Sequence, residues 1–194
     1  MILEGLVTTI TEQGLPNIAP MGALVDETMT ELVLRPYRTS RTYANLQANR
    51  QGVLHVTDDV EMLALAAVDQ LTTLPKMVKA KQVEGFIIAE ACRWYEFRVT
   101  TLDDRGERTT IACRVVGQGR IRDFFGFNRA KHAVLEAAIL ATRIPFLPAQ
   151  EIHAEFQRLA VLVDKTAGAQ ERRAFQVLDD YLAAYLAVRL KRRD

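Results

Sequence analysis

Arg35-Pro36-Tyr37-Arg38-Thr39-Ser40-Arg41-Thr42-Tyr43-Ala44-Asn45 sets three guanidiniums and three aliphatic hydroxyls between a strand-like run and a helix-compatible one. Pro36 ends the preceding strand, Glu31-Leu32-Val33-Leu34, and the hydroxyl residues supply an N-cap for a short helix that stops before Gly52. Guanidiniums match phosphate oxygens with a planar fork of donors, hydroxyls add short neutral bonds, and the open amides of a helix start add more where the macrodipole is positive. Spacing alone weighs evenly between a phosphate site and solvated arginines beside a capping serine. The chain has no Gly-x-x-x-x-Gly-Lys-Ser/Thr pattern and no glycine-rich turn of the dinucleotide-binding kind, so a mononucleotide phosphate fits better than either.

Outward from that loop the first half alternates strands and turns. Leu6–Thr11 is rich in β-branched residues, Gly14 and Pro16 interrupt it, and Asn17–Ala23 opens a second strand continuing to Val25. Asp26 and Glu27 turn the chain into Glu31–Leu34. Val53–Thr57 is a further strand, Asp58 and Asp59 offer capping carboxylates before an apolar Met62–Ala67 helix, and Phe86–Ile88 is a short strand candidate. Cys92–Leu102 and Thr110–Val116, joined by Asp103-Asp104-Arg105-Gly106-Glu107, form the clearest hairpin. About six strands are enough to close an antiparallel barrel and so remove sheet edges.

From Asn128 the apolar spacing changes to nearly four, at Ala130, Val134, Ala137, Ala138 and Ala141, then Ile152, Phe156, Leu159, Ala160 and Val163, then Phe175, Leu178, Leu182 and Tyr185. The expected fold is therefore mainly β with helices: an antiparallel, Greek-key-like barrel over residues 1–127 with a C-terminal helical hairpin over 128–194, packed on the barrel or on a dimer partner. Lys191, Arg192 and Arg193 suit a solvated helix end that complements the macrodipole.

With 194 residues, 49% of them hydrophobic, the chain can bury a core without staples. Its 25 basic and 24 acidic residues leave a net charge of +1, which gives no field for nucleic acid or for an acidic membrane surface. No apolar run reaches the roughly 20 residues needed to span a bilayer, and Met1–Thr11 lacks the pattern of a secretory signal, so a cytoplasmic location is expected. Cys92 and Cys113 suit buried thiols in a reducing compartment. His55, His132 and His153 stand far apart, so no metal site is expected and His55 suits a hydrogen-bonded core or pocket residue. Trp94, Tyr95 and Phe97 divide between two faces of one strand, which does not make a stacking platform for nucleic acid.

Asn17-Ile18-Ala19-Pro20-Met21-Gly22-Ala23 combines a carboxamide, a proline-fixed turn and a glycine, so a flat aromatic ligand could be met there by backbone groups. A plain turn with Met21 in the core is nearly as good a reading. In order and separation, Asn17–Ala23 and Arg38–Leu46, with His55-Val56-Thr57-Asp58-Asp59 and Phe127-Asn128-Arg129-Ala130, resemble the FMN-binding split-barrel superfamily of flavin reductase-like and pyridoxamine-phosphate-oxidase-like proteins. Within it the chain is similar to the domain-of-unknown-function 447 family, known from methanogenic archaea and from bacteria with related one-carbon metabolism. The resemblance spans nearly the whole chain and implies a split barrel that binds FMN near the interface of a homodimer. It implies phosphate and ribityl contacts from Arg38, Ser40, Thr42 and Asn45, with Thr39 and Arg41 in the same loop, and a ring bordered by Asn17, Ala19, Met21 and Gly22. His55 stands where family members carry Asn, so a flavin contact there would be altered. The chemistry then belongs to the flavin and requires no catalytic protein residue: the resemblance implies an FMN-dependent oxidoreductase of a small redox substrate, with pterin-linked one-carbon metabolism as the family context. A flavin carrier or sensor, and a barrel for deazaflavin or haem, remain the alternatives.

Overall fold

The computed structural model describes residues 1–106 and 108–191; Glu107 of the expected reversal and Arg192 and Arg193 of the expected helix end lie outside them. Six antiparallel strands close a barrel: β1 (Ile2–Ile10), β2 (Pro16–Val25), β3 (Glu31–Leu34), β4 (Gln51–Val56), β7 (Arg93–Asp103) and β8 (Thr110–Arg120), in the order β1-β2-β3-β8-β7-β4. Between them lie helices α1 (Arg41–Asn49) and α2 (Val60–Ala67) and a ribbon of two short strands, β5 (Met77–Lys79) and β6 (Phe86–Ile88). Pro16, past the interruption that ends β1, begins β2 opposite Ile10; the first residue of a strand tolerates a missing N–H. Gly14, at φ 78, makes the reversal before it. β5 carries no local sequence signal, being three residues long and mostly exposed.

Inside the barrel, Val7, Ala23, Val25, Leu32, Leu34, Leu54, Tyr95, Phe97, Ile111 and Cys113 pack with Tyr43 and Leu46, which α1 turns inward at helical spacing. Trp94 takes the opposite face from Tyr95 and Phe97 and packs with Val53, Val83 and Ile87. Where β1 crosses β4, a Cβ on Gly5 would collide with the carbonyl oxygen of His55, so that crossing requires glycine. Both cysteines are buried free thiols, and desolvation pushes the Cys113 pKa up to about 12.

The outer wall of β1, β4 and β7 is covered by the β5–β6 ribbon, which is held by polar groups. The Thr8 hydroxyl donates to Phe86 O at 2.6 Å. The fully buried Glu96 carboxylate accepts the amides of Lys81, Gln82 and Val83, and Arg98 donates to Gln82 O at 2.7 Å. His55, also fully buried, donates from Nδ1 to Leu6 O at 3.2 Å and accepts the Ile88 amide at Nε2 at 3.1 Å. These partners define a neutral Nδ1–H ring, a structural pin between barrel and ribbon.

Asp59–Thr73 and residues 125–191 form a second compact unit. It comprises α2, α3 (Arg129–Thr142), α4 (Ala149–Thr166) and α5 (Ala169–Lys191). Ala130, Ala133, Val134, Ala137, Ala138 and Ala141 make the small-residue face of α3, and Ile152, Phe156 and Val163 are the buried stripe of α4. The sequence suggested an uninterrupted span from residue 128. The unit instead takes α2 from among the strands, because that apolar helix is tied to α5 by the Arg173–Glu61 ion pair at 2.7 Å and by Gln170 donating to Asp59 at 3.1 Å. Asn128 caps α3 through the Lys131 amide and donates to Thr166 O.

Burial, opposed by the Leu6 carbonyl, lowers the His55 pKa from 6.5 to about 4. Between those values the unfolded chain binds the extra proton and the folded one does not, so stability falls as pH drops through the window, by up to about 3 kcal/mol at roughly 1.4 kcal/mol per unit. His55→Gln, which can donate to one partner and accept from the other without titrating, is expected to flatten that dependence. Urea unfolding of both proteins from pH 7 to 4 measures it, and parallel pH profiles would exclude His55 as the cause.

Candidate functional site

Leu34 ends β3 inside the barrel, and the Pro36 carbonyl accepts both the amide and the hydroxyl of Thr109, fixing where the loop leaves the sheet. A turn follows in which Ser40 N donates to Tyr37 O at 3.0 Å and Ser40 Oγ donates to the same carbonyl at 2.8 Å. Ser40 Oγ also accepts the Tyr43 amide at 3.1 Å, the expected N-cap of α1. The Thr42 amide has no protein acceptor among the described residues. Arg38, Thr39 and Arg41 are exposed around this helix start.

Thr42, Asn45 and Asn49 lie on one side of α1, spaced by three and four. Asn17 Nδ2 donates to Thr42 Oγ1 at 3.3 Å, Asn45 Nδ2 to Thr9 Oγ1 at 2.9 Å, and Asn49 Nδ2 to Ile10 O at 2.8 Å. This polar seam fastens α1 to the ends of β1 and β2, while Tyr43 and Leu46 plug the barrel. Thr42 and Asn45 are both buried, and both side chains take part in the seam. Half-buried Asn17 keeps its carboxamide oxygen without a protein donor among the described residues.

β2 is unusual along its edge. It pairs with β1 over its length to Leu24 but meets β3 only at Leu24–Val33 and Val25–Leu32. From Pro16 to Gly22 the β3-facing edge has no backbone partner among the described residues, and the whole segment is half-buried without the in-out alternation of an ordinary wall strand. Free amides and carbonyls therefore line the split. Met21 packs on the barrel core and Ala19 shares its face, whereas Gly22 faces outward, where a Cβ would come within 2.8 Å of Glu4 Oε1. These three residues cannot border one planar ligand through side chains alone; the backbone edge is what they share.

The structure thus brings Asn17, Thr42 and Asn45 into one network and places Arg38, Thr39, Ser40 and Arg41 at the helix start it supports. His55 lies apart from this network, on the outer wall, where both ring nitrogens have protein partners in β1 and β6. Sequence reasoning missed Thr9, which pairs directly with Asn17 but declares this only once the register is known. It also missed the hairpin tip: Tyr43 Oη donates to Asp104 at 2.8 Å, an interaction that with burial raises the phenol pKa. Among the described residues no three His, Cys, Asp or Glu side chains cluster as a metal site, and no helix is long and apolar enough to cross a membrane.

Residues 3–122 match the family described as protein of unknown function (DUF447), N-terminal domain, and residues 128–180 match the family described as protein of unknown function (DUF447). The chain belongs to this family of split-barrel proteins. Over 93% of this chain and 94% of the other, the structure is similar to the FMN-bound protein MM1853 of Methanosarcina mazei, at a TM-score of 0.80 and 21% identity. The similarity to an FMN-binding protein of Thermus thermophilus, at a TM-score of 0.53 and 12% identity, covers 61% of this chain and 70% of that one. The styrene monooxygenase flavin reductase of Pseudomonas putida is similar at a TM-score of 0.51 and 13% identity, over 60% and 77%. At these identities what is shared is the fold. No curated protein matches the sequence.

Ser40→Ala is expected to cost about 1 kcal/mol through the lost cap, and Ser40→Gly only a few tenths. Asn45→Ala, which strips a buried donor from the seam, should cost roughly 1 to 3 kcal/mol. Chemical denaturation checks both. An Asn45→Ala protein as stable as the parent would show that the seam does not hold α1.

Proposed function

We propose that the chain binds FMN, its phosphate at the start of α1 and its ring along the unpaired edge of β2. The carrying observation is the donor set at that helix start: the Arg38 and Arg41 guanidiniums, the Thr39 hydroxyl and the open Thr42 amide, around a turn shaped by Ser40. This set suits a phosphate dianion. Thr42 and Asn45 serve it from behind by holding the helix, and Asn17 offers its carboxamide oxygen to a donor on the ligand. Ala19, Met21 and Gly22 contribute backbone rather than side chains. The similarity to the FMN-bound protein of Methanosarcina mazei along nearly the whole chain supports the assignment.

When bound, FMN supplies hydride or electron transfer. The protein's part is to orient the ring through fixed backbone groups and to keep the phosphate end anchored. We propose a cytoplasmic flavin-dependent oxidoreductase acting on a small redox substrate, in keeping with the flavin reductase among the similar folds. The pterin-linked, one-carbon substrate class comes from the resemblance to the family alone. A homodimer with the flavin near its interface completes the proposal: the outer face of β1, β2 and β3 leaves Ile2 and Leu24 exposed beside each other, apolar area that a second copy would cover.

The purified protein is expected to be yellow and to release FMN on denaturation, and light scattering should give twice the chain mass of 21.8 kDa. Arg38→Ala should weaken FMN binding by about tenfold or more, since each charge-assisted bond contributes roughly 1.5 to 3 kcal/mol. Unchanged affinity would move the phosphate elsewhere. Rapid bleaching on mixing with reduced nicotinamides supports the oxidoreductase; persistent oxidised colour with every donor favours a carrier.

A further inference from the structure

The tip of the β7–β8 hairpin is docked on the loop that enters α1 by three independent ties. Tyr37 and Arg108 form an antiparallel bridge, Thr109 donates twice to Pro36 O, and Tyr43 donates to Asp104. In the first of these the Arg108 guanidinium lies 4.6 Å from the Tyr37 ring centroid, and its Nη2 donates to Tyr37 Oη at 2.8 Å. Stacking and hydrogen bonding together fix a planar cation that would otherwise sample many rotamers.

The described carboxylates of the tip make their contacts elsewhere. Asp103 is engaged by Arg105 at 2.6 Å and Asp104 by the Tyr43 phenol. Among the described residues Arg108 has no carboxylate partner. A guanidinium carries five N–H donors, so most remain after the bond to Tyr37. Tyr37 is also the residue whose carbonyl closes the turn onto Ser40, with Arg38 and Thr39 between them. Arg108 is thus a second cation, held in place on the loop that carries the exposed Arg38, with no ion pair of its own among the described residues.

We infer that Arg108 is an anion-binding residue of the α1 site, brought from the far end of the chain's longest hairpin to meet the phosphate of the bound mononucleotide together with Arg38. This rests on the flavin assignment above and adds a residue from a different element to it. Tyr37 is then a positioning residue that aims the Arg108 guanidinium.

Titration with FMN and with riboflavin, which lacks the phosphate, tests the inference. In Arg108→Gln, FMN affinity is expected to fall about tenfold, riboflavin affinity to stay unchanged and the salt dependence of FMN binding to shrink. Arg108→Lys should recover part of the loss, and Tyr37→Phe should show a smaller one of the same kind. If Arg108→Gln retains the parent's preference for FMN over riboflavin, or weakens both ligands equally, the inference is overturned while the flavin assignment stands. If the parent protein shows no preference for FMN, the phosphate assignment fails and this inference with it.

Discussion

β2 runs for ten residues and β3 for four, so the two can pair only at the far end of β2. Everything distinctive about the barrel follows from that mismatch. Pro36 cannot extend β3, the chain departs as a loop and helix instead of a strand, and the edge of β2 from Pro16 to Gly22 is left with its backbone groups unspent. α1 then closes the end of the barrel with Tyr43 and Leu46, while the Thr42, Asn45 and Asn49 seam prevents rotation about its own axis by fastening a second side to β1 and β2. A split wall and an anchored helix start are two results of one short strand.

Much of this was legible before any coordinates. The hydroxyl and arginine density of residues 35–45, Pro36 as a terminator and Ser40 as a cap are local signals, and local signals survive folding. The β7–β8 hairpin and the alanine face of α3 were legible because their periodicity is strong. Partnerships between distant segments were not. Thr9 is one threonine among several until it lies across from Asn17, and His55 looks equally suited to pocket or wall until β6 is found against it. The departure of α2 from its sequence neighbours had no signal at all, since apolar helices look the same wherever they bury.

The protein's near-neutral balance conceals strong local polarity. A net charge of +1 is spread over a chain in which Glu96 is enclosed by amides, Asp58 is paired with Arg122, and Lys131 is paired with Glu171. Those charges are spent internally, each on holding one segment to another. Arginines 38 and 108 are different in kind: the first is exposed on the turn, and the second is held by an aromatic ring. A net charge of +1 sets up no field that would draw in a polyanion, whereas two local cations suit the single small anion of the proposed function.

Glu96 carries a further consequence. Because it grips the ribbon loop through three successive main-chain amides, the identities of Lys81 and Gln82 have no part in the attachment. Their exposed side chains are free to drift, or to be rewritten for labelling or surface engineering, without loosening the loop. Proline is barred at 81, 82 and 83, where it would delete the hydrogen that the carboxylate holds.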